Sequence, residues 1–354
     1  MSVLNSQERV LATLEHEEPD RVPLTDHIYR PESLERILGE PGVRVDVTEK
    51  YVEVHRLLSL DLIATYIDGG DVSLSLPEGS SGEMVDDWGI KWKVVDGMPW
   101  YIDGPLKTPE DFESFEAPDP YADKWFGSSQ RTARFVRDDL ATATLVEGPF
   151  TKCWYLTGLQ TFMKALYLSP KSLSRLLDNM TRFQIELGKG FIDRGIDMIW
   201  LDEDLGDVKG PFMRPTLFRS FIKPRLKEMV DAFKSRGAKV LLHSDGQLMP
   251  LMDDIVETGI DGIHPIERAA GMNLQLMKTK YGDKLTLIGN VNSKTVLQYG
   301  PPEEIKKQVI ECIDIAAPSG GYILASDHSV HVGIPSANVR HMFRAAAKYG
   351  MYAN

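Results

Sequence analysis

The chain has 354 residues, 42% hydrophobic and 26% charged, the proportions of a globular protein with a core and not of a disordered one. With 40 Lys and Arg against 52 Asp and Glu, the formal net charge is −12, which argues against nucleic acid or an anionic membrane as the main partner. Two cysteines, Cys153 and Cys312, exclude a disulfide framework and an all-thiolate zinc site. No apolar run spans a bilayer and the first 21 residues lack a signal-peptide core, so a cytoplasmic location is expected.

In chain order, the first helix is expected after Asn5, with Glu8 completing a capping box and Pro19 as its stop. Eight short apolar runs then read as strands: 21–25, 61–67, 140–146, 197–201, 239–243, 260–264, 285–289 and 321–325. Their apolar residues run together without alternating, as in strands buried on both faces. Helical patterns separate them, clearest at 171–194, 214–236, 247–258, 302–317 and 335–349, with Gly195, Gly237, Gly259 and Gly282 as stop signals. This alternation implies parallel strands with helical crossovers. The expected fold is a single α/β domain over 1–354, a (β/α)8 TIM barrel. An open doubly wound sheet is the alternative, but no G-x-G-x-x-G follows the first strand. The stretch 69–139 is too long for one loop and is expected to hold an inserted β-hairpin around Asp96-Gly97.

In such a barrel the chemistry stands where strands end. The expected strand ends carry Asp26 and His27; Asp68 and Asp71; Glu147; Asp202, Glu203 and Asp204; His243 and Asp245; His264 and Glu267; Asn290 and Asn292; and Asp327 and His328, with His331 nearby. Five of eight histidines fall there, which points to a metal or acid–base site. His243 and Asp245, two apart, share one face of an extended chain and can converge on one ion, with His328 as the natural third ligand. The bland reading has His243 bonding a neighbouring strand end and Asp245 capping the next helix. The acids 202–204 raise one another's pKa unless a cation intervenes. They read as metal ligands, acid–base groups, a hold for a basic substrate, or a turn cap with solvated neighbours. Trp154 and Tyr155 read as pocket lining or as core.

The segments 241–267 (LLHSDGQLMPLMDDIVETGIDGIHPIE), 285–292 (LTLIGNVN), 320–350, 200–227 and 5–24 resemble the uroporphyrinogen decarboxylase superfamily. The resemblance implies the same barrel, a site at its carboxyl-end mouth and a possible homodimer. One branch of that superfamily decarboxylates porphyrinogens without a cofactor. Another comprises cobalamin-dependent methyltransferases that exchange methyl groups with a corrinoid protein, usually with zinc. Asp68, Tyr155 and His328 are similar to decarboxylase site residues. Where the decarboxylases carry M-R-Q-A-G-R-Y after the first strand, this chain has TDHIYRPESLER, so the arginine clamp for a polycarboxylate is missing. Where the thiol-using methyltransferases hold zinc with H-x-C and a later Cys, this chain has His243, Asp245 and His328.

The resemblance implies a corrinoid-linked methyltransferase acting on a small methoxylated or methylated substrate. Zinc on His243, Asp245 and His328 would be the Lewis acid. Asp68, Tyr155, Glu203, Asp204 and His328 are the expected catalytic groups. His27, Asp202, His264, Asn290 and Trp154 are the expected substrate contacts, with the hairpin near Trp88, Trp92 and Trp100 shaping the pocket. The alternatives are a decarboxylase of a porphyrinogen and a non-catalytic tetrapyrrole- or corrinoid-binding protein.

Overall fold

The structure is a computed structural model and describes residues 4–28, 31–39, 47–65, 81–95, 98–136 and 139–353. Its strands are β1 (Leu62–Thr65), β2 (Gly82–Val85), β3 (Lys91–Val95), β4 (Met98–Asp103), β5 (Ala141–Glu147), β6 (Met198–Asp202), β7 (Gly206–Asp207), β8 (Gly210–Pro211), β9 (Lys239–His243), β10 (Gly262–His264), β11 (Thr286–Ile288) and β12 (Tyr322–Ile323). Seven of them form one curled parallel sheet in the order β1-β5-β6-β9-β10-β11-β12, consistent with a TIM-barrel-like α/β fold. The expected first strand, 21–25, makes only single bridges. Leu24 pairs with Leu324 and Thr25 with Leu62, so this segment reaches β1 at one edge of the sheet and the residue following β12 at the other. Pro23 explains why the ladder is not continuous: it has no N–H to donate, although its carbonyl accepts from Leu324 at 3.0 Å.

Strand periodicity divides the core in two. Leu62, Ala64, Ala141, Ala143, Met198, Trp200, Leu241, Ile288 and Ile323 point inside the curled sheet. Their neighbours Ile63, Ile199, Leu201, Val240, Leu242 and Leu287 point outward against the helices. The alanines leave room for the Trp200 indole. The helix Ser6–Leu14 carries the expected Asn5–Glu8 capping box and brings Val10 and Leu14 onto the inner cluster. Its buried Arg9 pairs with Asp61 at 2.6 Å, which fixes that helix against the sheet.

The expected helix 214–236 is interrupted. It runs as Pro215–Leu217, a π-turn Phe218–Ile222, and Lys223–Lys234. Pro224 lacks the N–H that a continuous helix needs there, and the wider turn accommodates the loss. The expected helix 247–258 shortens to Met252–Val256. Gly195, Gly237 and Gly259 take positive φ after their helices, whereas Gly282 has φ −68°. Within 81–103, β2, β3 and β4 form an antiparallel sheet, while residues 66–80 and 96–97, where the hairpin turn is expected, lie outside the described residues. Among the described residues no helix is long and apolar enough to cross a membrane.

Candidate active site at the strand-end mouth

The site follows from strand register. Glu147 lies beside Asp202, Asp202 beside His243, and His243 beside His264, on β5, β6, β9 and β10. His243 directs Nε2 between two carboxylates, 3.9 Å from Asp204 Oδ1 and 3.8 Å from Asp245 Oδ2. Asp245 Oδ2 is also 3.2 Å from His328 Nε2. Asp245 therefore bridges the two imidazoles that the sequence places together. Asp204 is aimed by its surroundings. Its N–H donates to Thr151 Oγ1 at 2.9 Å, and its Oδ1 accepts the Asp245 N–H at 3.1 Å. Thr151 was not singled out in the sequence, because a hydroxyl inside a helical stretch gives no such signal.

Charge sets the protonation states. Burial, then repulsion from Asp204, Glu147 and Asp245, outweighs attraction by His243 and pushes Asp202 up to about 7. Asp204 is raised for the same leading reason. For Asp245, burial is outweighed by His243 and the hydrogen-bonded His328, and its pKa is lowered. The Asp245 bond raises His328. For His243, burial is outweighed by Asp245, Asp202 and Asp204, and the pKa is raised.

The third acid of the triplet faces elsewhere. Glu203 is fully buried and accepts N–H bonds from Phe150 at 2.9 Å and Thr151 at 2.8 Å, in the first turn of the helix Pro149–Thr157. Burial, opposed by those donors, pushes it up to about 8. Asp202 and Asp204 are the two that come within 4.8 Å of a His243 nitrogen.

His27 and His264 lie behind His243 in the barrel interior. Burial drives His27 down to about 3 and His264 well below the usual imidazole range, so both are neutral. Their Nε2 atoms have no hydrogen-bond partner among the described residues. Asn290 is also buried and donates through Nδ2 to the Ile266 carbonyl at 2.8 Å, which ties the β10 and β11 loops together. Asp26 accepts from Ser326 N at 3.0 Å and Oγ at 2.9 Å. Asp68 lies outside the described residues, as do Asp71 and Arg30.

Trp154 and Tyr155 stack with centroids 4.0 Å apart, and Trp92 and Tyr101 approach Tyr155 at 5.6 and 5.7 Å. Trp88 is buried beneath Lys152 Nζ, 4.1 Å from the ring centroid, while Trp100 is 61% exposed. Lys152, only 2% exposed, pairs with Glu147 Oε2 at 2.9 Å. A lysine among Phe150, Cys153 and Trp154 was the one signal available for it.

The donor set suits a divalent metal of zinc's type: imidazole nitrogen with carboxylate oxygens close by. Asp245 Oδ1 is buried without a hydrogen-bond partner among the described residues, a free ligand position. Among those residues, two sets of three candidate ligand atoms lie within 4.8 Å of one another: Asp202, Asp204 and His243, and His27, His243 and His264. The set His243, Asp245 and His328 is not one of them.

A curled parallel α/β sheet with imidazoles and carboxylates gathered at its strand ends defines a protein of TIM-barrel-like fold with a candidate site at those ends. The chain belongs to the uroporphyrinogen decarboxylase (URO-D) family, whose model matches residues 84–349. The methylcobamide:CoM methyltransferase MtaA of Methanosarcina barkeri is 25% identical over 204 residues, 58% of this chain and 57% of its own length. The chain thus spans little over half the length of such methyltransferase relatives. The uroporphyrinogen decarboxylase of Alkalilimnicola ehrlichii is 22% identical over 372 residues, 98% of this chain and 94% of its own. A solved methyltransferase from Methanosarcina mazei superimposes with a TM-score of 0.78 at 21% identity, covering 98% of this chain and 99% of that one, and shows the shared fold. The relatives are therefore enzymes of two kinds, methyltransferases and decarboxylases.

Proposed function

We propose that the chain is a corrinoid-linked methyltransferase that takes a methyl group from a small methoxylated or methylated substrate to the corrinoid of a partner protein in the cytoplasm. The observation that carries this reading is the chain of contacts under 4 Å that runs from Asp204 through His243 and Asp245 to His328 at the mouth. The methylcobamide-dependent relatives support it. A divalent metal such as zinc is proposed on His243, Asp245 and His328, with Asp204 adjacent, and would supply Lewis acidity to the substrate oxygen. The structure links that set through Asp245 without bringing the two imidazoles together. A corrinoid on the partner protein would supply an electron-rich cobalt as the methyl acceptor.

The chain's own residues handle the oxygen left behind. When the carbon–oxygen bond breaks, its electron pair stays on that oxygen, which then needs a proton. Asp202 and Asp204, side by side near His243, are the groups proposed to deliver it. Tyr155 and Trp154 are proposed as an apolar wall of the substrate pocket, and Asp68 as a further catalytic group.

The full-length match to a decarboxylase favours a second reading, in which Asp68, Tyr155 and His328 serve decarboxylation. Three carboxylates at the mouth oppose it, because they repel a substrate with eight of its own. Metal analysis and methyl transfer to cob(I)alamin from a panel of methoxylated compounds test the proposal. One metal per chain is expected, with both metal and transfer lost in His243→Ala. Metal-free protein whose His243→Ala form keeps full transfer would refute it, and coproporphyrinogen formed from uroporphyrinogen would establish the second reading.

A further inference from the structure

We infer that His264 is a positioning residue for His243: its Nδ1 accepts a hydrogen bond from His243 Nδ1–H and so aims His243 Nε2 at Asp204 and Asp245. The inference rests on the reading of His243 as a ligand through Nε2. The two rings are neighbours in strand register, and their Nδ1 atoms are 2.8 Å apart. That spacing decides between two arrangements. Two imidazole nitrogens on one tetrahedral zinc, each bonded at about 2.0–2.1 Å, stand about 3.3 Å apart. A separation of 2.8 Å is a hydrogen bond, so these two Nδ1 atoms are not co-ligands of one ion as they stand.

One partner of that bond must donate. A ring that binds through Nε2 keeps its proton on Nδ1, so His243 donates and His264 accepts. The acceptor is held rigidly. The His264 ring is fully buried, 5.2 Å from Trp200 at 84° and 4.9 Å from His27. Metal-bound imidazoles are usually oriented by a carboxylate or a carbonyl. A carboxylate behind His243 would join Asp202, Asp204 and Asp245 and add to their mutual repulsion. A neutral imidazole orients the ring and adds no charge.

Zinc titration against a competing chromophoric chelator tests this. His264→Leu removes the acceptor and should weaken zinc binding 10- to 100-fold. His264→Asn, whose Oδ1 takes the place of Nδ1, should bind within about threefold of wild type. Equal unfolding midpoints of the two metal-free variants separate positioning from folding. His27→Leu should leave affinity within about threefold. A tenfold loss there would assign the ion to the inner triad and overturn the inference, as would wild-type affinity in His264→Leu. Should the wild type take up no zinc, the functional reading fails and the bond is judged separately. With 15N-labelled histidine, the metal-free protein should then show scalar coupling between the two Nδ1 nitrogens, and its absence overturns the inference.

Discussion

Substituting Gly148 by alanine isolates the anchoring of Glu203. Gly148 has φ −75° and ψ 172°, which any residue adopts, so the backbone is not at issue. A Cβ there would lie 2.4 Å from Glu203 Cδ and Oε2 and 2.7 Å from its Cβ, well inside van der Waals contact. Glu203 must move, and its carboxyl leaves the N–H groups of Phe150 and Thr151. The two buried N–H groups lose their acceptor, at about 1–3 kcal/mol each, for a total of about 2–6 kcal/mol. At an unfolding entropy near 0.7 kcal/mol per degree for a chain of this length, the midpoint should fall by about 3–9 °C. Urea unfolding of the four members of a Gly148→Ala and Glu203→Ala cycle measures the coupling. In the Glu203→Ala background the Gly148→Ala cost should shrink to below about 1 kcal/mol, since the clash has gone. Equal costs in both backgrounds would show that the contact does not carry the effect.

Further outcomes follow from other buried groups. Asp26, pushed to about 7 by burial, favours its neutral form in the fold, so stability should fall as pH rises from about 4 to about 7 and level off above. Asp26→Asn, which can retain a bond to Ser326, should flatten that slope, and urea midpoints at pH 5 and pH 8 for both proteins check it. A wild type with the same midpoint at the two pH values would contradict the burial argument. Lys152→Met deprives Glu147 of its partner and Trp88 of the ammonium above it, and a loss of about 1–3 kcal/mol is expected from the same urea measurement. Asp204→Asn keeps an acceptor for the Asp245 N–H but removes a charge 3.9 Å from His243. It should weaken zinc binding several-fold with little change in midpoint, and a large stability loss would mark Asp204 as structural.

Much of this architecture is legible in the residues because buried parallel strands are continuous apolar runs. The run 239–243 is the whole of β9, and 197–201 is one residue out of step with β6. The segment 21–25 reads equally well, yet Pro23 leaves it only single bridges. The strand-end rule likewise finds the mouth acids and imidazoles, since a polar residue after an apolar run in a parallel sheet has only one end of the barrel to occupy. It does not tell which way each side chain turns. Asp202, Glu203 and Asp204 are consecutive, so the middle one projects to the opposite face. Alternation alone separates Glu203, bound to a helix terminus, from the two acids near His243. The same parity holds on β9, where Leu242 packs outward between Leu241 and His243. Strand register does the rest, because it sets Asp202, His243 and His264 in one row across β6, β9 and β10. That row, one acid and two imidazoles side by side, depends on pairing between strands that lie far apart in the chain.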